Sequence, residues 1–219
     1  MGSKRFPDKM MAKLGGYPVL EWVVRRVSQS KNIDQLVVAT TTSNKDDQIA
    51  EYSKRLGVEF YRGSESDVLN RFVCASNKYE ADWVVRVCAD NPFIDPFEVD
   101  RLIDFYDKND CDYACNHMNK LNSGYADGFG AEILSSKLLI ELNKKVLKDD
   151  EREHLTLYLH NNNNKYKLLG VPAPHALSFP NLRFDVDNKK DLEKIQKICD
   201  LGVDFESLSS DIVKLYNNL

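Results

Sequence analysis

The chain has 219 residues, with 30 Lys and Arg against 34 Asp and Glu, a net charge of -4. A folded chain of this size buries about 70% of its unfolded surface, enough for one sizeable core without disulfides or a structural metal. Hydrophobic residues at 42% and charged residues at 29% exclude a wholly disordered chain or a fibrous rod, and the mild acidity argues against a basic nucleic-acid face. No window approaches the 18 consecutive apolar residues of a membrane span, and no apolar leader opens the chain. Five cysteines without a C-x-x-C pair read as reduced thiols. One domain over residues 1–219, in the cytoplasm, is the expectation.

Strand-like and helix-like runs alternate in chain order. Gln35–Thr41, Val58–Arg62 and Trp83–Ala89 read as strands, separated by helical patterns over 18–29, 45–56 and 66–78. Asp95-Pro96-Phe97-Glu98 is a helix start, with Asp as N-cap and Pro at the first position; that helix is expected to run to about Asp107. Residues 112–116, 131–134, 167–172 and 182–186 read as strands. Helices are expected over 135–145, 150–161, from the Asn188 cap to about Asp200, and over 205–217. Such alternation predicts an α/β fold with a mainly parallel sheet covered on both faces.

The chain opens in Gly2-Ser3-Lys4-Arg5-Phe6-Pro7-Asp8-Lys9. Glycine backbone, a hydroxyl and basic side chains are what a polyphosphate needs; a basic terminus is the plain alternative. An α/β fold normally delivers such a loop from the end of a central strand, so Met1 is expected to be an internal Met of a longer chain. In Arg86-Val87-Cys88-Ala89-Asp90-Asn91-Pro92 a period of two puts Arg86, Cys88 and Asp90 on one face. Asp90 then stands at the carboxyl end of a strand, where ligands of open α/β sheets bind and a carboxylate suits Mg²⁺; a simple turn cap is the other reading. In Arg183-Phe184-Asp185-Val186-Asp187-Asn188 two carboxylates share a face with Arg183, and such a pair calls for a cation between them. Asp67 and Arg71 stand at i and i+4 after the Gly63 turn, as a helix ion pair or as a pocket wall over a nucleotide base. Asp127-Gly128-Phe129-Gly130-Ala131-Glu132 reads as a tight loop beside a ligand, and His154 lies on a polar helix start.

The blocks G-S-K-R-F-P-D-K, R-G-S-E-S-D-V-L-N-R-F, R-V-C-A-D-N-P-F-I-D-P, D-G-F-G-A-E-I, E-R-E-H-L-T and L-R-F-D-V-D-N-K-K-D-L together resemble the cytidylyltransferase family. That family includes acylneuraminate and 3-deoxy-manno-octulosonate cytidylyltransferases, and the branch most like this chain is that of spore-coat polysaccharide biosynthesis. The resemblance implies a Rossmann-like nucleotide-diphospho-sugar transferase fold, a three-layer sandwich. It implies transfer of CMP from CTP to a sugar acid with Mg²⁺, releasing pyrophosphate, in polysaccharide or glycan biosynthesis, and a homodimer. By position, Gly2, Ser3, Arg5 and Lys9 would hold the triphosphate, with Arg5 and Lys9 stabilising the leaving group. Asp90 and Asp187 would hold metal, Gly63, Asp67 and Arg71 would lie near the nucleotide, and Asp127, Glu132, Arg152 and His154 would face the sugar. Three rival readings are a sugar-1-phosphate nucleotidyltransferase, a same-fold glycosyltransferase using Asp185-Val186-Asp187 as D-x-D, and a non-catalytic binding protein.

Overall fold

The computed structural model describes residues 6–117 and 120–218. After Phe6 come a 3-10 turn, Lys9–Met11, and a short hairpin of β1 (Lys13–Leu14) and β2 (Tyr17–Pro18). Gly15 and Gly16 make its turn at φ +55° and +89°, the two left-handed positions of a type I′ hairpin. Helix α1 (Val19–Val27) follows and is almost wholly buried. Its Arg26 donates to the carbonyls of Ile94, Phe205 and Ser207, which ties α1 to two distant segments.

Strands β3 (Val37–Thr41) and β4 (Glu59–Gly63) pair in parallel, joined by helix α2 (Asp47–Arg55). Helix α3 (Val68–Lys78) leads to β5 (Trp83–Arg86), and α4 (Pro96–Lys108) leads to β6 (Tyr113–Cys115). Asp95 caps α4 as expected, accepting from the Phe97 and Glu98 amides. Strand β7 (Glu132–Ser135), helices α5 (Ser136–Lys145), α6 (Asp149–Glu153) and α7 (Leu157–Asn161), and strand β8 (Leu168–Gly170) follow. Helices α8 (Lys189–Asp200) and α9 (Ser209–Asn217) close the chain. The larger sheet has the order β5-β7-β6-β8. In it β6 and β8 are parallel while β7 is antiparallel to both neighbours, so this sheet is mixed.

Alternation along the strands explains the layers. Tyr113, Cys115 and Leu134 pack with Leu138, Leu142 and Leu159 on one face. Ala114 and Ile133 pack with Val23, Leu102 and Ile103 on the other. Helices thus cover both faces, α3, α5 and α7 on one side and α1 and α4 on the other. Among the described residues no helix is long and apolar enough to cross a membrane, and all five cysteines are free.

Three expected elements differ. The strand from Trp83 stops at Arg86, because its partner β7 begins opposite at Glu132. Residues 182–186 form no strand. They run beside the loop at Asp127, with one bridge at Arg183, and Phe184 donates to the Asp127 carbonyl while Val186 donates to that of Asp90. The helix expected over 150–161 breaks between α6 and α7, where Leu155 and Thr156 turn into the interior.

Between the β3–β4 pair and β5 lies a cavity of ≈ 830 Å³. Val37, Val38 and Ala39 form one wall, Trp83, Val84 and Val85 the other, and Leu20 and Phe72 also line it.

Candidate functional site

Three segments distant in sequence meet at the carboxyl end of the sheet. Asp90 lies in the turn after β5, Asp187 just ahead of the Asn188 cap of α8, and Lys9 in the first 3-10 turn. Lys9 Nζ is 2.7 Å from Asp90 Oδ2 and 3.8 Å from Asp187 Oδ1, and it donates to the Val186 carbonyl at 3.0 Å. The Asp191 carboxylate fixes Asp187 by accepting from the backbone amides of Asp187 and Asn188, both at 2.9 Å. All three side chains keep some exposure: 14% for Lys9, 28% for Asp90 and 25% for Asp187. Asp90 and Asp187 thus approach the same ammonium group from two segments.

A hard divalent cation suits this place. Mg²⁺ is commonly held by one or two carboxylates, with substrate phosphates and water completing its shell. Among the described residues no group of three or more His, Cys, Asp or Glu side chains is placed to hold a metal alone. The donor set is thus the kind that binds a metal together with a phosphate ligand. Gly2, Ser3 and Arg5 lie outside the described residues, so Lys9 is the described basic member of the expected phosphate loop.

Arg183 neutralises the adjoining acidic side chains. It grips Asp185 through Nε (3.0 Å) and Nη2 (2.6 Å), and lies 3.6 Å from both Asp187 and Asp127. Burial raises the Asp127 pKa to about 7, aided by Asp185 and Asp90 and opposed by Arg183. His117 lies beside it, Nδ1 to Oδ1 at 3.8 Å. Burial pushes His117 down to about 4, with Glu132 opposing and Lys120 and Arg86 reinforcing. The imidazole is therefore neutral near pH 7.

The other wall is built from α3, α6 and β7. A Cβ at Gly63 would stand 2.8 Å from Arg71 Cγ, so glycine lets the Arg71 stem cross the end of β4. Asp67 caps α3 by accepting from the Asn70 amide, and it pairs with Arg152 at 2.7 Å. Arg71 donates instead to the Ser64 carbonyl, which replaces the expected i,i+4 pair with Asp67. Arg152 also donates to Asn143 Oδ1 and the Val146 carbonyl, tying α6 to the end of α5. His154 is exposed at the end of α6. Glu132, expected to face the sugar, has no exposed surface and is ringed by Arg86, Lys120 and Tyr113. Arg86 was legible on its strand face, but Lys120 and Tyr113 carry no local signal and His117 none beyond its residue type.

The geometry so far is that of an α/β protein with two carboxylates and a lysine gathered at the carboxyl edge of its sheet. Residues 1–211 match the cytidylyltransferase family, and the chain belongs to it. Its fold is the Rossmann-like fold of nucleotidyltransferases. The chain is 32% identical over 223 residues to the spore coat polysaccharide biosynthesis protein SpsF of Bacillus subtilis, covering 99% of this chain and 90% of that protein. It is 24% identical over 211 residues to an 8-amino-3,8-dideoxy-manno-octulosonate cytidylyltransferase of Shewanella frigidimarina, covering 90% and 80%. A solved cytidylyltransferase from Leptospira borgpetersenii superposes with a TM-score of 0.92 at 28% identity, covering 100% of this chain and 90% of that one. The protein is thus an enzyme of the nucleotidyltransferase class.

Proposed function

We propose that the protein transfers CMP from CTP to a sugar acid and releases pyrophosphate. The observation that carries this reading is the meeting of Asp90, Asp187 and Lys9 at the carboxyl edge of the sheet. Its relationship to a cytidylyltransferase acting on an aminated octulosonate supports the acceptor class. A hydroxyl of the acceptor attacks the α-phosphorus in line. The bond to the bridging oxygen breaks, pyrophosphate leaves, and the hydroxyl proton passes to solvent. Such transfer demands positioning and charge neutralisation rather than a protein nucleophile.

Lys9 supplies positive charge to the triphosphate, and Arg5 and Ser3 of the same loop are proposed to extend that cradle with the Gly2 backbone. Asp90 and Asp187 would hold Mg²⁺, which when bound neutralises phosphate charge. Asp191 keeps Asp187 in place. Gly63 and Arg71, with Asp67 fixed by Arg152, form the wall proposed for the nucleotide. Asp127 and His154 are proposed to face the acceptor. Arg183 occupies both oxygens of Asp185, which disfavours a D-x-D metal site of the glycosyltransferase kind.

The test is pyrophosphate release with Mg²⁺ and CTP across a panel of sugar acids, beside sugar 1-phosphates with CTP, UTP and GTP. Release with CTP and a sugar acid is the expected result. Release only with a sugar 1-phosphate would replace this reading. Asp90→Asn and Asp187→Asn should each lower turnover by about a hundredfold or more with an unchanged circular dichroism spectrum. Near-normal turnover in either variant removes that residue from the metal site.

A further inference from the structure

Beside the Asp90–Asp187 pair, a second charged cluster is organised around a buried carboxylate. Glu132 on β7 lies directly opposite Arg86 on β5. Its oxygens accept from Arg86 Nη1 at 2.5 Å, Lys120 Nζ at 2.6 Å and the Tyr113 hydroxyl at 2.8 Å. Burial alone would push Glu132 up, but Arg86 and Lys120 overcome it and hold the group well below the usual carboxylate range. Glu132 is therefore ionised while its side chain is only 1% exposed, whereas Arg86 keeps 25% and Lys120 31%. Both cations keep more exposed surface than the carboxylate between them. Two cations on one anion leave a single positive charge in excess, and Arg71 lies close enough to feel the charge of Arg86.

The backbone after Lys120 is constrained to hold this arrangement. Leu121 and Asn122 both take left-handed conformations, at φ +51° and +58°. Such conformations cost a residue with a side chain about 1 kcal/mol or more, and they gather at functional sites. Gly170 at the end of β8 packs against this turn so closely that a Cβ there would lie 2.7 Å from the Leu121 carbonyl oxygen. Arg86, Cys88 and Asp90 follow one another at alternate positions of one segment, and His117 lies 3.8 Å from Cys88 Sγ and 3.8 Å from Asp127. The cluster therefore adjoins the proposed metal-binding edge.

We infer that Arg86 and Lys120 form the subsite that takes the carboxylate of the acceptor, and that Glu132 is a positioning residue that aims both cations. The inference rests on the reading of the acceptor as a sugar acid. The excess of one positive charge matches a monoanion. A guanidinium donates to a carboxylate in a planar fork, and an ammonium adds a point charge beside it. Lys9, on the Asp90 side, serves the triphosphate, so the two anions of the reaction have separate cations.

The experiment is calorimetric binding of 3-deoxy-manno-octulosonate and N-acetylneuraminate, each beside its methyl ester, to the parent, Lys120→Met, Lys120→Arg and Glu132→Gln. CTP binding is measured on the same samples. Lys120 is part exposed, and Glu132 keeps Arg86 and Tyr113 in Lys120→Met, so that variant is expected to fold. The parent should bind an acid about 10- to 100-fold more tightly than its ester, the range for a charge-assisted contact. Lys120→Met should lose that advantage with CTP binding unchanged, Lys120→Arg should keep most of it, and Glu132→Gln should lose part. Equal binding of the acid by Lys120→Met and the parent overturns the inference and leaves the sugar-acid reading standing. So does a loss shared by acid and ester, or a loss confined to CTP. If the parent binds neither acid, the inference falls, and the pyrophosphate panel decides the sugar-acid reading separately.

Discussion

Asp127 and His117 depart from ordinary acidity in opposite directions for one leading cause, burial. Asp127 stands at about 7 against a usual 3.8, so between these values the folded chain holds a proton that the unfolded chain has released. Stability therefore falls as pH rises from about 4 to 7. His117 stands at about 4 against 6.5, so between those values the unfolded chain binds a proton that the folded chain refuses. That contribution is complete above 6.5 and is lost as pH falls toward 4. The two slopes oppose each other over the shared window. Asp127→Asn removes one of them. Its melting temperature should climb from pH 4 to 6.5 more steeply than the parent's, and at pH 7.5 it should be the more stable by roughly 1–3 kcal/mol. Thermal melts in a chelator at pH 5 and 7.5 check this. A less stable Asp127→Asn at pH 7.5 would mean that attraction to Arg183 outweighs the cost of burying the charge.

At the scale of elements, the start of α8 links stability to the site. Asn188 and Asp191 form a capping box, and Asp191 alone also holds the backbone amide of Asp187. Asn188→Ala should cost about 1 kcal/mol, a fall of roughly 2–4 °C in Tm, with little change in turnover. Asp191→Ala should cost about as much and should also lower pyrophosphate release, because it frees Asp187. Equal turnover in the two variants would separate the cap from the chemistry. These caps were legible because a cap is a local event: Asp95 and Asn188 meet their amides within three residues. The strand ends were not, because pairing is set by a distant partner. Arg86 ends β5 where β7 begins, and 182–186 pairs with loops instead of a sheet neighbour. Asp90 and Asp187 were readable from their positions after strand-like runs. The burial of Glu132 was not, since it depends on Arg86, Lys120 and Tyr113 arriving from three other segments.

At the scale of the whole molecule, the cavity between β3 and β5 separates two strand pairs. Its ≈ 830 Å³ is lined along both walls by strand residues. Among the described residues β3 is hydrogen-bonded only to β4 and β5 only to β7, so each has one edge without a strand partner. Unpaired strand edges beside an apolar space are a liability in a folded chain, because their amides can pair with any passing strand. Lys9 sits at the carboxyl end of β5, against Asp90. A parallel strand in this space would end at the sheet edge where Lys9 meets Asp90. Six extended residues reach about 20 Å at 3.3 Å each, enough to run the length of β3. In hydrogen exchange, the slot-facing amides of β3 and β5 should lose protection faster than those of β7, which is paired on both sides. Appending six residues rich in Val and Ile ahead of Met1 should slow exchange in β3 and β5 together and raise Tm. Leu138 and Leu142 on α5 lie in a separate part of the core, and exchange in α5 should change little. If the appended segment leaves β3 and β5 exchanging as before, the cavity is not a strand site.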